Sequence, residues 1–503
     1  MPSVDSDFLA LPLGQLADAA LSEARSLGAS HADLRVHRLA EESISLRDAK
    51  PQSVTSATRS GFAVRVLVDG VWGFASSVSM TAESAVLVAK QAVLIARSLA
   101  PLAVERVQLA DEPVYPDAVW VGEYERDPFS VPTAEKVALL ADYCGRLLAA
   151  DPVAHATAHV LTVKEQSFYA DLAGSRVTQQ RVRLHPQLEA TTVDQAAGVF
   201  ETMRTLAPPV GRGWEYLDER GSWDWADELA RMPQLLAEKA KAPSVAAGPT
   251  DLVIAPSNLW LTIHESIGHA TEYDRAIGYE AAYAGTSFAT PDKLGALQYG
   301  SPIMHVTADR NIAHGLATVG WDDEGVATGR WDIVKDGLLV GYQLDRAFAL
   351  RLGLDRSNGC SYADSAHHVP IQRMANISLE PDRQTDRSTQ ELIGAVEKGI
   401  YIEGDKSWSI DMQRYNFQFT GQRFWRIEGG KLAGQLRDVA YQATTTDFWG
   451  SMEAVGGEST WVLGGAFNCG KAQPGQVAAV SHGCPSALFR QVRVLNTAQE
   501  GKA

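Results

Sequence analysis

The sequence predicts an α+β protein, with an N-terminal α/β domain followed by a β-rich C-terminal domain whose first helix carries candidate metal ligands. Three observations predict it. Helical and strand periodicities alternate through the first half of the 503-residue chain. The small, uncharged, proline-containing stretch from Ala242 to Thr250 then marks a change of composition. Beyond about Gly285, strand and turn signals with frequent glycine take over. A chain of this length exceeds one ordinary core, so the expected domains are residues 1–245 and 246–503.

Taken in order, Leu13, Leu16, Ala17, Ala20, Leu21, Ala24 and Leu27 recur at helical spacing, and Gly28 follows as a stop signal. Ala32, Leu34 and Val36 alternate as a strand does. The segments Phe62 to Val68 and Val71 to Ala75 flank Asp69-Gly70, a two-residue hairpin turn. Further helices are expected from Thr81 to about Leu99, from Thr133 to about Ala150 and from Trp223 to Lys239, with strand alternation in His159 to Lys164. The second half opens with the apolar strand Leu252 to Ala255, and Pro256-Ser257 starts a helix. A hairpin from Trp331 to Tyr342 turns at Asp336-Gly337.

Apolar residues make up 45% and charged residues 21%, the balance of a globular protein with ample material for a core. A net charge of -16 and the lack of any Lys/Arg-rich run exclude the electrostatics of nucleic-acid binding. The opening Met1 to Asp7 has no basic signal-peptide region, and no uninterrupted apolar run reads as long enough to span a bilayer, so a cytoplasmic protein without membrane contact is expected. Four scattered cysteines, Cys144, Cys360, Cys469 and Cys484, form no disulfide framework and suit a reducing compartment.

The chemistry concentrates in His264-Glu265-Ser-Ile-Gly-His269. A hydrolytic zinc needs imidazole or thiolate ligands, an open position for water, and a carboxylate to take the water's proton. Two imidazoles and a carboxylate lie here within a turn and a half. A separation of five residues puts side chains about 140° apart on a regular helix, so convergence requires a π-type bulge or a break. Gly268, which tolerates unusual backbone angles, is the expected place. The alternative is two histidines capping or packing on an ordinary helix.

The motif extends to His264-Glu-Ser-Ile-Gly-His-Ala-Thr-Glu-Tyr-Asp274, and Asp322-Asp-Glu-Gly325, Gly341-Tyr-Gln-Leu-Asp345, Arg373-Met-Ala-Asn376 and Cys469-Gly-Lys471 follow it. In these residues and their order the sequence resembles the TldD/PmbA metallopeptidases, specifically the TldD-like branch that keeps the metal motif. The resemblance runs from about Gly248 to Leu495 and is more diffuse before it. It implies zinc ligands His264, His269 and Cys469, and Glu265 as general base. It also implies dimers enclosing the catalytic sites, formed with a second copy or with a PmbA-like chain. Local spacing alone would leave Cys469 a buried residue. Glu272 and Asp274 are candidates for support around the metal, Glu272 being also a rival ligand; solvated acids at a helix end are the alternative.

The expected reaction is hydrolysis of peptide bonds in unfolded or short peptides through a metal-activated water, with the β-rich domain receiving an extended peptide as an added strand. Competing readings are a non-catalytic binding or partner subunit, against which the intact Glu265 argues, and a zinc amidase acting on a small substrate. Arg373 and several tyrosines are candidates for the oxyanion, and no spacing selects one. Many relatives carry paired arginines after the position of Asn358-Gly359, where this chain has Cys360 to His368. His367-His368 read as surface histidines, because neighbours on a strand face opposite ways, and Cys484 reads as structural.

Overall fold

The computed structural model describes residues 2–194, 198–219 and 221–500. Helices α1 (Ser6–Leu9) and α2 (Leu13–Ser26) precede the strands β1 (His31–Arg47), β2 (Lys50–Val68) and β3 (Val71–Ser77). The hairpin between β2 and β3 turns at Asp69 and Gly70, whose φ angles of 50° and 73° are those of a type I′ turn. After α3 (Ala82–Leu99) come β4 (Ala118–Val121), α4 (Thr133–Leu148), β5 (His155–Asp171), β6 (Arg176–Asp194), β7 (Val199–Arg204) and α5 (Trp225–Lys241). The seven strands form one sheet in the order β3-β2-β1-β5-β6-β4, with β7 also on β6. It is antiparallel except where β4 meets β6.

The strands β1, β5 and β6 are long enough to serve three neighbours. At one end Leu34, Val36 and Phe168 pack with Leu16 and Ala20 of α2 and Ala89 and Ala92 of α3. At the other end Ile44, Ala158 and Leu188 pack with Leu140 of α4 and Leu229 and Met232 of α5. Between these two cores the sheet presents charge: buried Glu165 accepts hydrogen bonds from Arg181, Arg183 and the Tyr362 hydroxyl of the second half. The segment Ala82–Leu102 is, by length and composition, apolar enough to cross a membrane, although Glu83, Lys90 and Arg97 interrupt it. In the fold its Ala85, Ala89, Ala92 and Ala96 stripe lies in the core, while Leu87, Leu94, Leu99 and Leu102 are exposed.

The second half begins with β8 (Gly248–Ile254) and α6 (Pro256–Ile263). A four-stranded sheet contains β9 (Val306–Asp309), β10 (Arg330–Lys335), β11 (Leu338–Leu339) and, after the short pair β12 (Ser361–Tyr362) and β13 (Ile371–Gln372), β14 (Asn376–Leu379). A larger sheet joins β15 (Lys398–Ile410), β16 (Asn416–Glu428), β17 (Lys431–Leu436), β18 (Val439–Thr444), β19 (Met452–Val455) and β22 (Ala487–Asn496) to β8. Its order is β15-β8-β22-β18-β16-β17, and a further pairing of β15 with β16 closes a ring. Strands β20 (Val462–Lys471) and β21 (Gln476–Cys484) form a separate two-stranded sheet. The expected mixture of helices and strands, with a β-rich second half, is what folds.

Strand β8 lies between β15 and β22 at the heart of this half, and it feeds directly into α6. Pro256 sits in the first turn of α6, where its missing N–H costs nothing and its fixed φ favours the helix. The histidine motif is therefore launched from a rigid strand.

Candidate metal centre

Helix α6 does not continue regularly. Residues His264–Gly268 form a π-helical turn, and the His269 amide donates to the carbonyl of His264, five residues back. A π turn narrows the angular offset of five residues, so the imidazoles of His264 and His269 come together with ring centroids 4.7 Å apart. Gly268 is needed for a different reason from the one expected. Its φ of -54° and ψ of -58° are ordinary helical values, but a Cβ there would lie 2.5 Å from the Met374 sulfur. The glycine makes room for packing rather than for a special backbone angle. Gln343 caps the irregular turn by donating to the Gly268 carbonyl at 2.7 Å and accepting from the Ala375 amide.

Cys469 arrives on β20. Along this strand burial alternates, with Phe467, Cys469 and Lys471 inside and Asn468 and Gly470 exposed. The potential ligand atoms of His264, His269 and Cys469 all lie within 4.8 Å of one another. Tetrahedral zinc with bonds of about 2.0–2.3 Å sets its donor atoms about 3.3–3.8 Å apart. The 3.5 Å between His269 Nε2 and Cys469 Sγ falls in that range, and a small closure of the remaining pairs brings all three onto one ion. Burial pushes the Cys469 thiol up, but His269 and Arg373 beside it pull it below its ordinary value, which favours the thiolate a metal requires.

Both imidazoles are oriented through their Nδ1 atoms, leaving Nε2 for a metal. His269 Nδ1–H donates to Glu272 Oε2 at 2.8 Å. Burial raises Glu272, yet Lys471, His269 and Arg275 together hold it well below the usual carboxylate range. Lys471 Nζ donates to Glu272 at 3.1 Å and to Asp274 at 2.8 Å, and Arg275 Nε donates to Glu272 at 3.1 Å. Glu272 therefore supports His269, and Asp274 supports the cation that anchors Glu272; neither is a solvated acid.

For His264 the partner is His482 on β21, at 2.7 Å between His264 Nδ1 and His482 Nε2. His482 Nδ1 lies 2.9 Å from the Ile377 carbonyl, which only accepts, so that nitrogen carries the proton. Burial holds His482 well below its ordinary value, so it is neutral and its Nε2 is the acceptor. The proton on the shared bond consequently belongs to His264 Nδ1, and the lone pair of His264 Nε2 is free. His482→Phe is expected to weaken zinc binding about 10- to 100-fold. His482→Gln, able to accept from His264 and donate to Ile377, is expected to retain most of the affinity. Competition against a chromophoric chelator measures both, and equal affinities would reduce the contact to packing.

Glu265 faces the cleft with the ligands. Burial raises its carboxyl, but His269, His264 and Arg414 outweigh that and hold it below its ordinary value. Arg414 Nη1 donates to Glu265 Oε2 at 3.0 Å. A cleft of about 690 Å³ opens above these groups, between Arg204 and His185 of the first sheet and β20 and α6 of the second half. His185 stacks on Phe467 across it, with ring centroids 5.4 Å apart.

The remaining expected residues lie elsewhere. Arg373 is fully buried behind β20, donating to the carbonyls of Gln476 and Cys469. Cys484 is buried against Pro256, away from the ligands. His367 and His368 occupy a turn, not the strand from which their divergence was argued. His367 meets Ser76, and His368 pairs with Asp364 at 2.6 Å. Sequence reading missed Arg414 and His482, for which no local spacing gave a signal.

The chain is similar over residues 247–496 to the PmbA/TldA metallopeptidase C-terminal domain and over residues 32–96 to PmbA/TldA metallopeptidase domain 1. A metalloprotease of Methanothermobacter thermautotrophicus is 28% identical over 500 residues, spanning 98% of this chain and 100% of its own. A zinc metalloprotease TldD homolog of Saccharolobus solfataricus is 22% identical, covering 94% of this chain and 98% of its own. The crystal structure of TldE from Thermococcus kodakarensis shares the fold at a TM-score of 0.69 and 16% identity, covering 94% of this chain and 98% of that one.

Proposed function

Because this chain belongs to the PmbA/TldD family of metallopeptidases, we propose that it is a zinc peptidase hydrolysing bonds in unfolded or short peptides, with ligands His264, His269 and Cys469 and general base Glu265. The observation that carries this reading is the convergence of two imidazoles and one thiol beside a buried carboxylate at the base of a cleft. Zinc bound there supplies Lewis acidity, polarising the scissile carbonyl and making a water nucleophilic near neutral pH. Glu265 takes the attacking water's proton and returns it to the leaving nitrogen. His482 and Glu272 keep the imidazoles aimed throughout.

Strand β20 pairs only with β21 among the described residues, and its residues Gly464 to Gly470 line the cleft. This free edge supports recognition of an extended peptide by strand addition, which favours unfolded substrates over folded ones. Four free, buried cysteines support a cytoplasmic setting. Pairing with a second copy or a PmbA-like chain is part of the same proposal.

Elemental analysis together with light-scattering mass is expected to give one zinc per chain in a dimer. A panel of unstructured peptides and small amides is expected to show zinc-dependent cleavage of the peptides. Cleavage confined to small amides would replace the peptidase reading with an amidase, and a zinc-loaded protein inert to both would point to a binding subunit.

A further inference from the structure

We propose that Arg414 is a catalytic residue that stabilises the oxyanion formed during peptide hydrolysis, an assignment that rests on the metallopeptidase reading above. The other candidates are spent elsewhere. Arg373 is buried behind β20 with its terminal nitrogens on backbone carbonyls. The hydroxyls of Tyr299, Tyr342 and Tyr441 bond Ser266 O, Ala289 O and Asn258 within the core. Arg204 is paired with Asp405. Of the cations that line the cleft, Arg204, Lys406 and Arg414, Arg414 alone is paired with the base among the described residues.

Its position follows from the hairpin that carries it. The loop between β15 and β16 is pinned by Asp411, whose carboxylate accepts from the amides of Gln413 and Tyr415. Arg414 takes a left-handed backbone conformation, φ 61°, which for an arginine needs such support. Thr445 Oγ1 donates to its carbonyl, and Nη2 donates to Ala284 O at 3.0 Å. A guanidinium has five N–H groups, so two bonds, to Glu265 and to Ala284, leave donors for a third acceptor. Burial pushes this guanidinium below its ordinary value while Glu265 opposes the shift.

The first step of hydrolysis relocates that anion. Water gives one proton to Glu265, its oxygen forms a bond to the carbonyl carbon, and the carbonyl π pair moves onto oxygen. Negative charge thus leaves the Glu265 carboxylate as it appears on the substrate oxygen. A guanidinium already seated against Glu265 loses its counter-charge at that moment and gains a new one without crossing the cleft. In collapse the pair returns to re-form C=O, the C–N bond breaks, and Glu265 returns its proton to nitrogen, restoring the ion pair. Stabilisation present only while charge sits on the substrate oxygen accelerates chemistry instead of tightening ground-state binding.

The test compares wild type, Arg414→Met and Arg414→Lys as zinc-loaded full-length proteins. The probes are an unstructured peptide substrate and its phosphinic analogue, a tetrahedral anion. Arg414→Met is expected to keep its zinc and lose about 10²- to 10³-fold in kcat, with KM changed by no more than about threefold. Its calorimetric affinity for the phosphinic peptide should fall in step with kcat/KM. Arg414→Lys, which keeps the charge without the fork, should recover part of both losses and serves if the Met variant does not fold. Wild-type kcat in either variant overturns the proposal, as does an equal loss of affinity for phosphinic peptide and substrate, which would make Arg414 a substrate anchor. A wild-type enzyme that cleaves no peptide would instead remove the underlying reaction and the proposal with it.

Discussion

Glu265→Gln protein is expected to keep its zinc and to lose peptide hydrolysis by about two orders of magnitude or more. The substitution preserves size and leaves the three proposed ligands untouched, but an amide cannot accept the proton of the attacking water. Arg414 would still find a hydrogen-bond acceptor in the amide oxygen, though not its counter-charge. His264→Ala should lose metal and activity together, because a two-ligand site holds zinc poorly. Metal content and cleavage of an unstructured peptide, measured on both variants, decide the matter. An active Glu265→Gln enzyme would sink the general-base assignment, and equal activity in both variants would return the motif to a structural role.

Lys471→Met is expected to destabilise the second half by about 3–5 kcal/mol, the usual cost of leaving buried carboxylates without their cation. Lys471 is almost wholly buried, and its Nζ lies within hydrogen-bond distance of Glu272, Asp274 and both oxygens of Gln372. Methionine fills the space but satisfies none of these acceptors. Glu272 would keep only Arg275 and His269, and Asp274 would lose its ion-pair partner. Because Glu272 orients His269, zinc affinity should fall as well. A lowered denaturation midpoint together with weaker zinc binding is the expected result; unchanged values for both would show that Arg275 suffices to neutralise the pair.

The sequence by itself determined the local elements and where the chemistry begins. Periodicity located α2, α3, α4 and α5, Asp69-Gly70 located a hairpin, and the five-residue spacing of His264 and His269 demanded a π-type irregularity that the backbone adopts. These are short-range consequences, fixed by side-chain spacing and backbone sterics within a few residues. Cys469 was legible only through resemblance, because a thiol 200 residues along the chain has no local relation to a helix; the alternation of β20 turns it toward His269. Gly268 was legible as a special position but not for its reason, since Met374 approaches it from a distant segment. His482 and Arg414 were invisible for the same cause. Their roles come from hydrogen bonds to His264 and Glu265 across separations of 218 and 149 residues. Only tertiary packing decides such contacts: burial of the motif leaves each polar atom in need of a partner, and the fold supplies it from whichever strand or loop lies nearest in space.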